Sequence, residues 1–174
     1  MPDIEFRVRG ALIATEAIRA CGWRYDPPYD VYDGDESPEY FLDPANRYAA
    51  IVTQTGDFAG YLCVGEEARV PPGNYDPGEP EVLDLGAGMR PDLAGRGLGR
   101  AFLGAAIEFC LTRHQPAVLR VTVASFNGRS RQLHRSLGFV DGDEFTSRGG
   151  LDFVIATLSV DGQGLAAGLA AERR

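Results

Sequence analysis

A glycine-rich loop between a predicted strand and a predicted helix constrains this sequence more than any other feature. Its glycines occupy alternate positions, at Gly95, Gly97 and Gly99. Glycine has no Cβ, so the loop can bring its main chain close to a ligand and aim several N–H groups at one point. The helix that follows, predicted to run from about Gly99 to Thr112, adds unsatisfied N–H donors and the positive end of its dipole. We therefore expect a phosphate-binding site here, with Arg96 and Arg100 adding positive charge.

Two common types of phosphate loop do not fit these residues. A P-loop requires a lysine, and every one of the 17 basic residues counted as Lys+Arg is an arginine. A dinucleotide-binding fingerprint that starts at Gly95 and Gly97 requires a third glycine at the position of Arg100. Gly99 comes one residue too early for that pattern.

Two motifs resemble those of the GNAT N-acetyltransferase superfamily. Residues 94–99 match its acetyl-CoA-binding pattern, Arg/Gln-x-x-Gly-x-Gly/Ala, except that Ala94 occupies the first position. Further along, Asn127-x-x-Ser130-x-x-Leu133-His134-x-x-Leu137-Gly138-Phe139 resembles a second signature of that family. The two motifs lie at the expected separation, and the resemblance covers roughly residues 47–158.

The resemblance implies a fold, an activity and a set of binding residues. The fold is α/β (α+β), with a mixed, mostly antiparallel central sheet that is splayed in the middle and has helices on both faces. The activity is transfer of an acetyl group from acetyl-CoA to a primary amine, by direct attack through a tetrahedral intermediate. The residues expected to bind acetyl-CoA are Met89, Ala94, Gly95, Arg96, Gly97, Leu98, Gly99, Arg100, Asn127 and Ser130.

The expected catalytic residues are His134 and Glu81. His134 stands where the family usually has a tyrosine near the thioester sulfur, and a neutral imidazole can donate one N–H to the departing thiolate. Alternatively His134 is an exposed helix residue and water protonates the thiolate. Glu81 shares the strand face of Leu83 and Met89 by parity and is the expected base. Asp84, which parity places on the opposite face of the strand unless a bulge intervenes, and Glu79 are the other candidate carboxylates.

An aromatic and acidic segment, residues 23–36, is the predicted acceptor-binding loop. Aromatic faces and carboxylates both attract ammonium groups, so an amine substrate, either a small molecule or a peptide N-terminus, could dock there. Pro27, Pro28 and Gly34 argue against regular secondary structure in this segment. The alternative is a solvated loop whose aromatic side chains cover the edge of the core.

Hydrophobic periodicity predicts a single domain over residues 1–160. The predicted strands cover residues 4–9, 47–53, 58–64, 81–89, 118–125, 144–148 and 151–158. The predicted helices cover residues 11–20, 38–43, 99–112 and 129–137. Residues 161–174 are rich in small side chains and are expected to form a flexible C-terminal tail.

Composition excludes several classes of protein. The net charge of −8 argues against nucleic acid as a partner. Residues 1–89 carry 17 acids and 6 arginines, whereas residues 90–148 carry 5 acids and 9 arginines. This distribution suits a cationic acceptor and a phosphate-rich cofactor.

No apolar run reaches membrane-spanning length, and the N-terminus lacks a signal-peptide layout. The three scattered cysteines and two histidines predict no metal site, and a cytoplasmic location is the simplest reading. The sequence does not decide the oligomeric state, and a homodimer stays open.

Two other functions are compatible with parts of the sequence. Residues 82–88 copy the first motif of S-adenosylmethionine-dependent methyltransferases, but Arg90 stands where that motif needs a glycine, and Pro91 disfavours helical geometry at Arg90. A non-catalytic acyl-CoA-binding module, in which His134 marks lost chemistry, is the second alternative.

Overall fold

The computed structural model describes residues 4–76 and 81–160. Glu79 and the predicted tail from Asp161 lie outside the described residues. The strands are β1 (Phe6–Gly10), β2 (Tyr48–Thr53), β3 (Phe58–Val64), β4 (Val82–Met89), β5 (Val118–Ala124), β6 (Val140–Thr146) and β7 (Asp152–Ser159). The α-helices are α1 (Ala14–Cys21), α2 (Pro38–Leu42), α3 (Gly99–His114) and α4 (Gly128–Ser136).

The strands form a mixed, mostly antiparallel sheet in the order β1-β2-β3-β4-β5-β7-β6. The pairs β1–β2, β2–β3, β5–β7 and β6–β7 are antiparallel, whereas β4 and β5 are parallel. The parallel ladder is short, running from Val82–Val118 to Asp84–Arg120. The predicted fold class is confirmed, and the short ladder agrees with a sheet that opens in its middle.

Three local differences from the predicted elements have clear causes. β6 begins at Val140, before the predicted start at Glu144, because a register shift between Asp141 and Glu144 disrupts the alternation that identifies a strand. α1 begins at Ala14 rather than at Ala11. Ile13 is the N-cap of the observed helix, and its N–H donates a hydrogen bond to the Glu16 carboxylate. The acceptor loop, predicted to lack regular structure, contains one 3₁₀ turn at Tyr29–Tyr32.

The chain divides into two compact units, each with its own packing. Of the described residues, the first comprises 4–67 and 87–109. Its core includes Ile51, Val52 and Leu62, which are almost completely buried. Aromatic rings extend this core, with Trp23 stacked against both Phe58 and Tyr61 at centroid distances of 5.5 and 5.7 Å. The first residue of the acceptor loop, Trp23, is therefore packed against the aromatic rings of the core.

Of the described residues, the second unit comprises 68–76, 81–86 and 110–160. Leu119 and Val154 are buried in it, and Phe145 stacks on Phe153. Asp84 is also buried, with only 2% of its surface exposed, and its carboxylate accepts hydrogen bonds from Arg69 and Arg120. The Arg69 and Arg120 guanidinium groups both lie over the ring of Tyr75. These contacts fasten the segment from Arg69 to Tyr75 to β4 and β5.

Candidate active site

The predicted phosphate loop has alternating backbone handedness. Gly95 and Gly97 have φ values of +75° and +79°, the left-handed region that glycine adopts at no steric cost. Ala94 has a φ of −65°, and neither Arg96 nor Leu98 has a positive φ. The sign of φ therefore alternates from Ala94 to Leu98, a feature shared with anion-binding nests, in which successive main-chain N–H groups point into one concavity. That main-chain donors of this loop hold a phosphate stays a prediction.

α3 begins directly after this nest. Its first residue is Gly99, and the Phe102 N–H already donates to the Leu98 carbonyl at 3.0 Å. The preceding N–H groups have no helical carbonyl to reach, and they carry the positive end of the dipole. The predicted position of the helix start is confirmed. The glycine-rich loop and the N-terminus of α3 are therefore adjacent in the first unit.

Arg90 anchors the entrance to the loop. Its N–H donates to the Ala59 carbonyl at 2.8 Å, and its guanidinium donates to the Phe58 carbonyl at 2.7 Å. Nε also donates to the Asp92 carboxylate at 2.6 Å, and this contact, assisted by the Arg90 charge, holds the pKa of Asp92 below its usual value. The end of β4 is thus fixed to β3 before the chain turns into the loop. A 3₁₀ turn at Pro91–Leu93 follows instead of a helix, so the junction required by the methyltransferase alternative is not formed.

Met89 lies at the end of β4 beside two tyrosines that the sequence did not single out as site residues. The Tyr25 hydroxyl donates to the Met89 carbonyl oxygen at 2.8 Å. The ring of Tyr61 lies so close to Gly88 that a Cβ on Gly88 would be 2.6 Å from its Cζ. The aromatic and acidic composition of residues 23–36 predicted an acceptor-binding loop, but no sequence pattern indicates that Tyr25 contacts a residue 64 positions away.

In the second unit, Asn127 and Ser130 open α4. The Asn127 side-chain oxygen accepts a hydrogen bond from the Ser130 N–H at 3.0 Å, an N-cap interaction. Asn127, the first residue of the predicted second signature, therefore caps the N-terminus of α4. Whether Asn127 and Ser130 also contact the cofactor stays a prediction.

His134 lies one turn further along α4 and is largely buried, with 9% of its surface exposed. Its Nδ1 is 2.8 Å from the Ser130 carbonyl oxygen, and its ring packs edge-on against Phe139. A carbonyl oxygen only accepts, so Nδ1 carries the proton of the neutral ring, and Nε2 presents a lone pair. Burial lowers the pKa of His134, against smaller raising effects from the Ser130 carbonyl and the Asp141 carboxylate. The ring is therefore neutral at pH 7, and the exposed-helix alternative for His134 is wrong.

The carboxylates on β4 occupy different surroundings. Glu81 is exposed, immediately before the strand, and its carbonyl accepts hydrogen bonds from the Ala117 and Val118 N–H groups. Met89 comes eight residues after Glu81, about 26 Å further along the extended chain. Asp84 is committed to its two arginines. The role of Glu81 as the base stays a prediction.

The predicted site residues are distributed over both units. Met89 and residues 94–100 belong to the first unit, where Tyr25 and Arg90 join them. Glu81, Asn127, Ser130 and His134 belong to the second unit. Within residues 4–76 and 81–160, no group of three or more His, Cys, Asp or Glu side chains could hold a metal ion. Over the same ranges, every helix is too short or too polar to cross a membrane.

The model of the acetyltransferase (GNAT) family matches residues 14–139. No curated protein sequence is significantly similar to the chain.

Three solved structures show the same fold. A ribosomal-protein-alanine N-acetyltransferase from Brucella melitensis has 21% identity and a TM-score of 0.66, covering 88% of this chain and 99% of its own. A chimera of spermidine N-acetyltransferase SpeG from Vibrio cholerae and hSSAT has 16% identity and a TM-score of 0.67, covering 89% and 95%. The yncA acetyltransferase from Salmonella typhimurium, solved with its cofactor acetyl-CoA, has 19% identity and a TM-score of 0.63, covering 91% and 95%.

Proposed function

This chain belongs to the GNAT family of acetyltransferases, and from that premise we propose that it transfers the acetyl group of acetyl-CoA to a primary amine. The acceptor is a small molecule or a peptide N-terminus. Acetyl-CoA is the second substrate, and the amine attacks it directly. We also propose that residues 1–160 act as one N-acetyltransferase domain, because the family match runs through both compact units.

The alternating backbone of residues 94–98 is the observation that carries this proposal. Its main-chain N–H groups would hold the pyrophosphate of coenzyme A, because a nest at a helix N-terminus suits a compact dianion. Arg96 and Arg100 would add long-range attraction. Asn127 and Ser130 would lie along the far side of the cofactor, as the family resemblance implies.

The main chain at Met89 would bind the acetyl group. The Arg90 N–H donates to β3, and polar groups alternate along a strand, so the Met89 N–H points to the opposite edge of β4. There it would donate to the carbonyl oxygen that becomes negative when the amine attacks. One well-placed donor of this kind contributes about 3–4 kcal/mol to transition-state binding.

His134 would carry the proton from nitrogen to sulfur. The amine nitrogen forms a bond to the carbonyl carbon and becomes positively charged, and the carbon–sulfur bond then breaks. Nε2 of His134 accepts a proton from that nitrogen and donates it to the departing thiolate, so the ring ends neutral. The Nδ1–H bond to Ser130 supports this order of events, because it leaves Nε2 without a proton to donate at the start.

Glu81 is the alternative proton acceptor. It would remove a proton from the ammonium form of the substrate before attack, directly or through water. Its exposure supports a role in the entry of the amine more than a role at Met89.

A thiol-release assay tests the proposed function. Acetyl-CoA is incubated with the protein and a panel of amines: a peptide N-terminus, a polyamine and an aminoglycoside. We expect thiol release that depends on at least one of these amines, and calorimetric binding of coenzyme A. Absence of heat with coenzyme A would contradict the phosphate-loop assignment. Binding without thiol release on any amine would favour a non-catalytic acyl-CoA-binding module.

A further inference from the structure

The Tyr25 hydroxyl proton is committed to a main-chain carbonyl. Oη lies 2.8 Å from the Met89 carbonyl oxygen, which can only accept, so Tyr25 is the donor. Burial, assisted by the nearby Asp33 carboxylate, raises the pKa of Tyr25 to about 12. The phenol therefore stays protonated at physiological pH. Towards any further partner, Oη is available as a hydrogen-bond acceptor.

This hydroxyl lies on the edge of β4 that faces away from β3. The Arg90 N–H donates to Ala59 of β3, so the polar groups of Met89 point to the other edge. The N–H and C=O groups of one extended residue point in the same direction. Because Tyr25 binds the Met89 carbonyl, its oxygen lies on the same edge as the Met89 N–H.

The position of Tyr25 is held from several directions. Its own N–H donates to the Asp33 carboxylate at 2.8 Å. Two residues earlier, Trp23 stacks on Tyr61 of β3 with an interplanar angle of 9°. These contacts fix the main chain and the start of the loop, so the hydroxyl is oriented before any substrate arrives. Such preorganisation is what a substrate-positioning group requires.

We propose that Tyr25 binds the acceptor amine, with Oη accepting a hydrogen bond from one N–H of the attacking nitrogen. This inference rests on the proposed function, which brings the acetyl carbonyl to the Met89 N–H. After attack by a primary amine the nitrogen carries two protons, of which one is lost to a base when the nitrogen becomes neutral and the other stays on nitrogen, hydrogen-bonded to Tyr25. A secondary amine has only one proton at that stage. Tyr25 therefore makes the enzyme selective for primary over secondary amines.

The test compares Tyr25→Phe with wild-type protein on matched substrates, a primary amine and its N-methyl derivative. The substitution removes one oxygen and keeps the ring. We expect kcat/KM for the primary amine to fall about tenfold, the typical effect of losing one hydrogen bond to a charged group. For the N-methyl derivative we expect a change of less than about twofold on the same reasoning. The selectivity for the primary amine should therefore shrink about tenfold in the variant.

Tyr48→Phe is the matched control, because it makes the same change in β2, outside the acceptor loop, at a ring that packs against Phe41 and Tyr61. We expect it to leave both rate constants unchanged. Calorimetry with coenzyme A should give the same affinity for wild-type and Tyr25→Phe protein.

Several outcomes would overturn the inference. Equal losses on both amines would assign Tyr25 a structural role only, and unchanged kinetics would exclude any role. If Tyr25→Phe protein does not fold, the wild-type protein still decides: equal kcat/KM for the primary amine and its N-methyl derivative contradicts the proposal. A wild-type protein that binds no coenzyme A or acetylates no amine would instead overturn the proposed function itself.

Discussion

Asp84 and Arg120 face each other in the parallel ladder and form a two-point ion pair, with nitrogen–oxygen distances of 2.6 and 3.0 Å. Both side chains are buried, and Arg69 adds a third hydrogen bond to the same carboxylate. The Asp84 carboxylate, which strand parity places on the face opposite Glu81, thus pairs with arginines in the interior of the second unit.

Replacing Asp84 by Asn should strongly destabilise the protein. The substitution leaves the Arg120 charge buried without its counter-ion, which typically costs about 3–5 kcal/mol. The free energy of unfolding in urea measures this loss. Asp92→Asn is the control, since Asp92 is 57% exposed in its pair with Arg90 and should cost about 1 kcal/mol or less. Equal effects of the two substitutions would contradict the importance of burial.

Replacing Gly97 by Ala should weaken the binding of coenzyme A. There is open space around Gly97, so the added methyl group meets no atom and only the left-handed φ resists it. Holding alanine in that conformation costs about 1–2 kcal/mol, so the free loop relaxes and must regain the left-handed φ on binding, which predicts a loss of affinity of roughly tenfold.

Gly104→Ala is the matched control for Gly97→Ala. Gly104 also has open space, but it lies inside α3, where alanine is favoured by about 1 kcal/mol. Calorimetry should show weaker coenzyme A binding in the first variant and unchanged binding in the second. Equal affinities in the two variants would mean that the alternating backbone does not hold the pyrophosphate.

Replacing His134 by Phe should lower kcat by about 100-fold or more, the usual contribution of one acid–base group. Coenzyme A affinity should change little, because the proton relay acts only during turnover. His114→Phe makes the same substitution at the other histidine and should leave kcat unchanged. Glu81→Gln should retain turnover within about twofold, since about 26 Å of strand separates that side chain from Met89. A larger loss in Glu81→Gln than in His134→Phe would establish Glu81 as the base.

His134 should also make stability depend on pH. Burial lowers its folded-state pKa below the unfolded value of about 6.5, so the unfolded chain binds the proton more readily. The neutral ring therefore contributes fully above pH 6.5, and the free energy of unfolding falls as the pH drops through that value. Urea unfolding between pH 5.5 and 7.5 should show this fall in wild-type protein and a smaller one in His134→Phe. Parallel curves would contradict the lowered pKa.

The sequence located those parts of the fold and site that depend on neighbours along the chain. The alternating glycines predicted the nest and the start of α3, because φ preference and helix initiation are local properties. The alternation of apolar residues also identified strands β2 and β3. It misplaced the start of β6, because a register shift there interrupts the pattern on which strand prediction depends.

The amino-acid sequence by itself thus determined the family and the order of the elements, and it located the glycine-rich loop before α3. Only the tertiary structure decided which atoms of the side chains are available for chemistry. It committed the Nδ1 proton of His134 to Ser130, the Tyr25 hydroxyl to Met89, and the Asp84 carboxylate to Arg69 and Arg120. The physical reason is that the pKa and hydrogen-bonding role of a group depend on burial and on its partners. For Tyr25 and Asp84 those partners are distant in sequence, and for His134 the burial comes from tertiary packing.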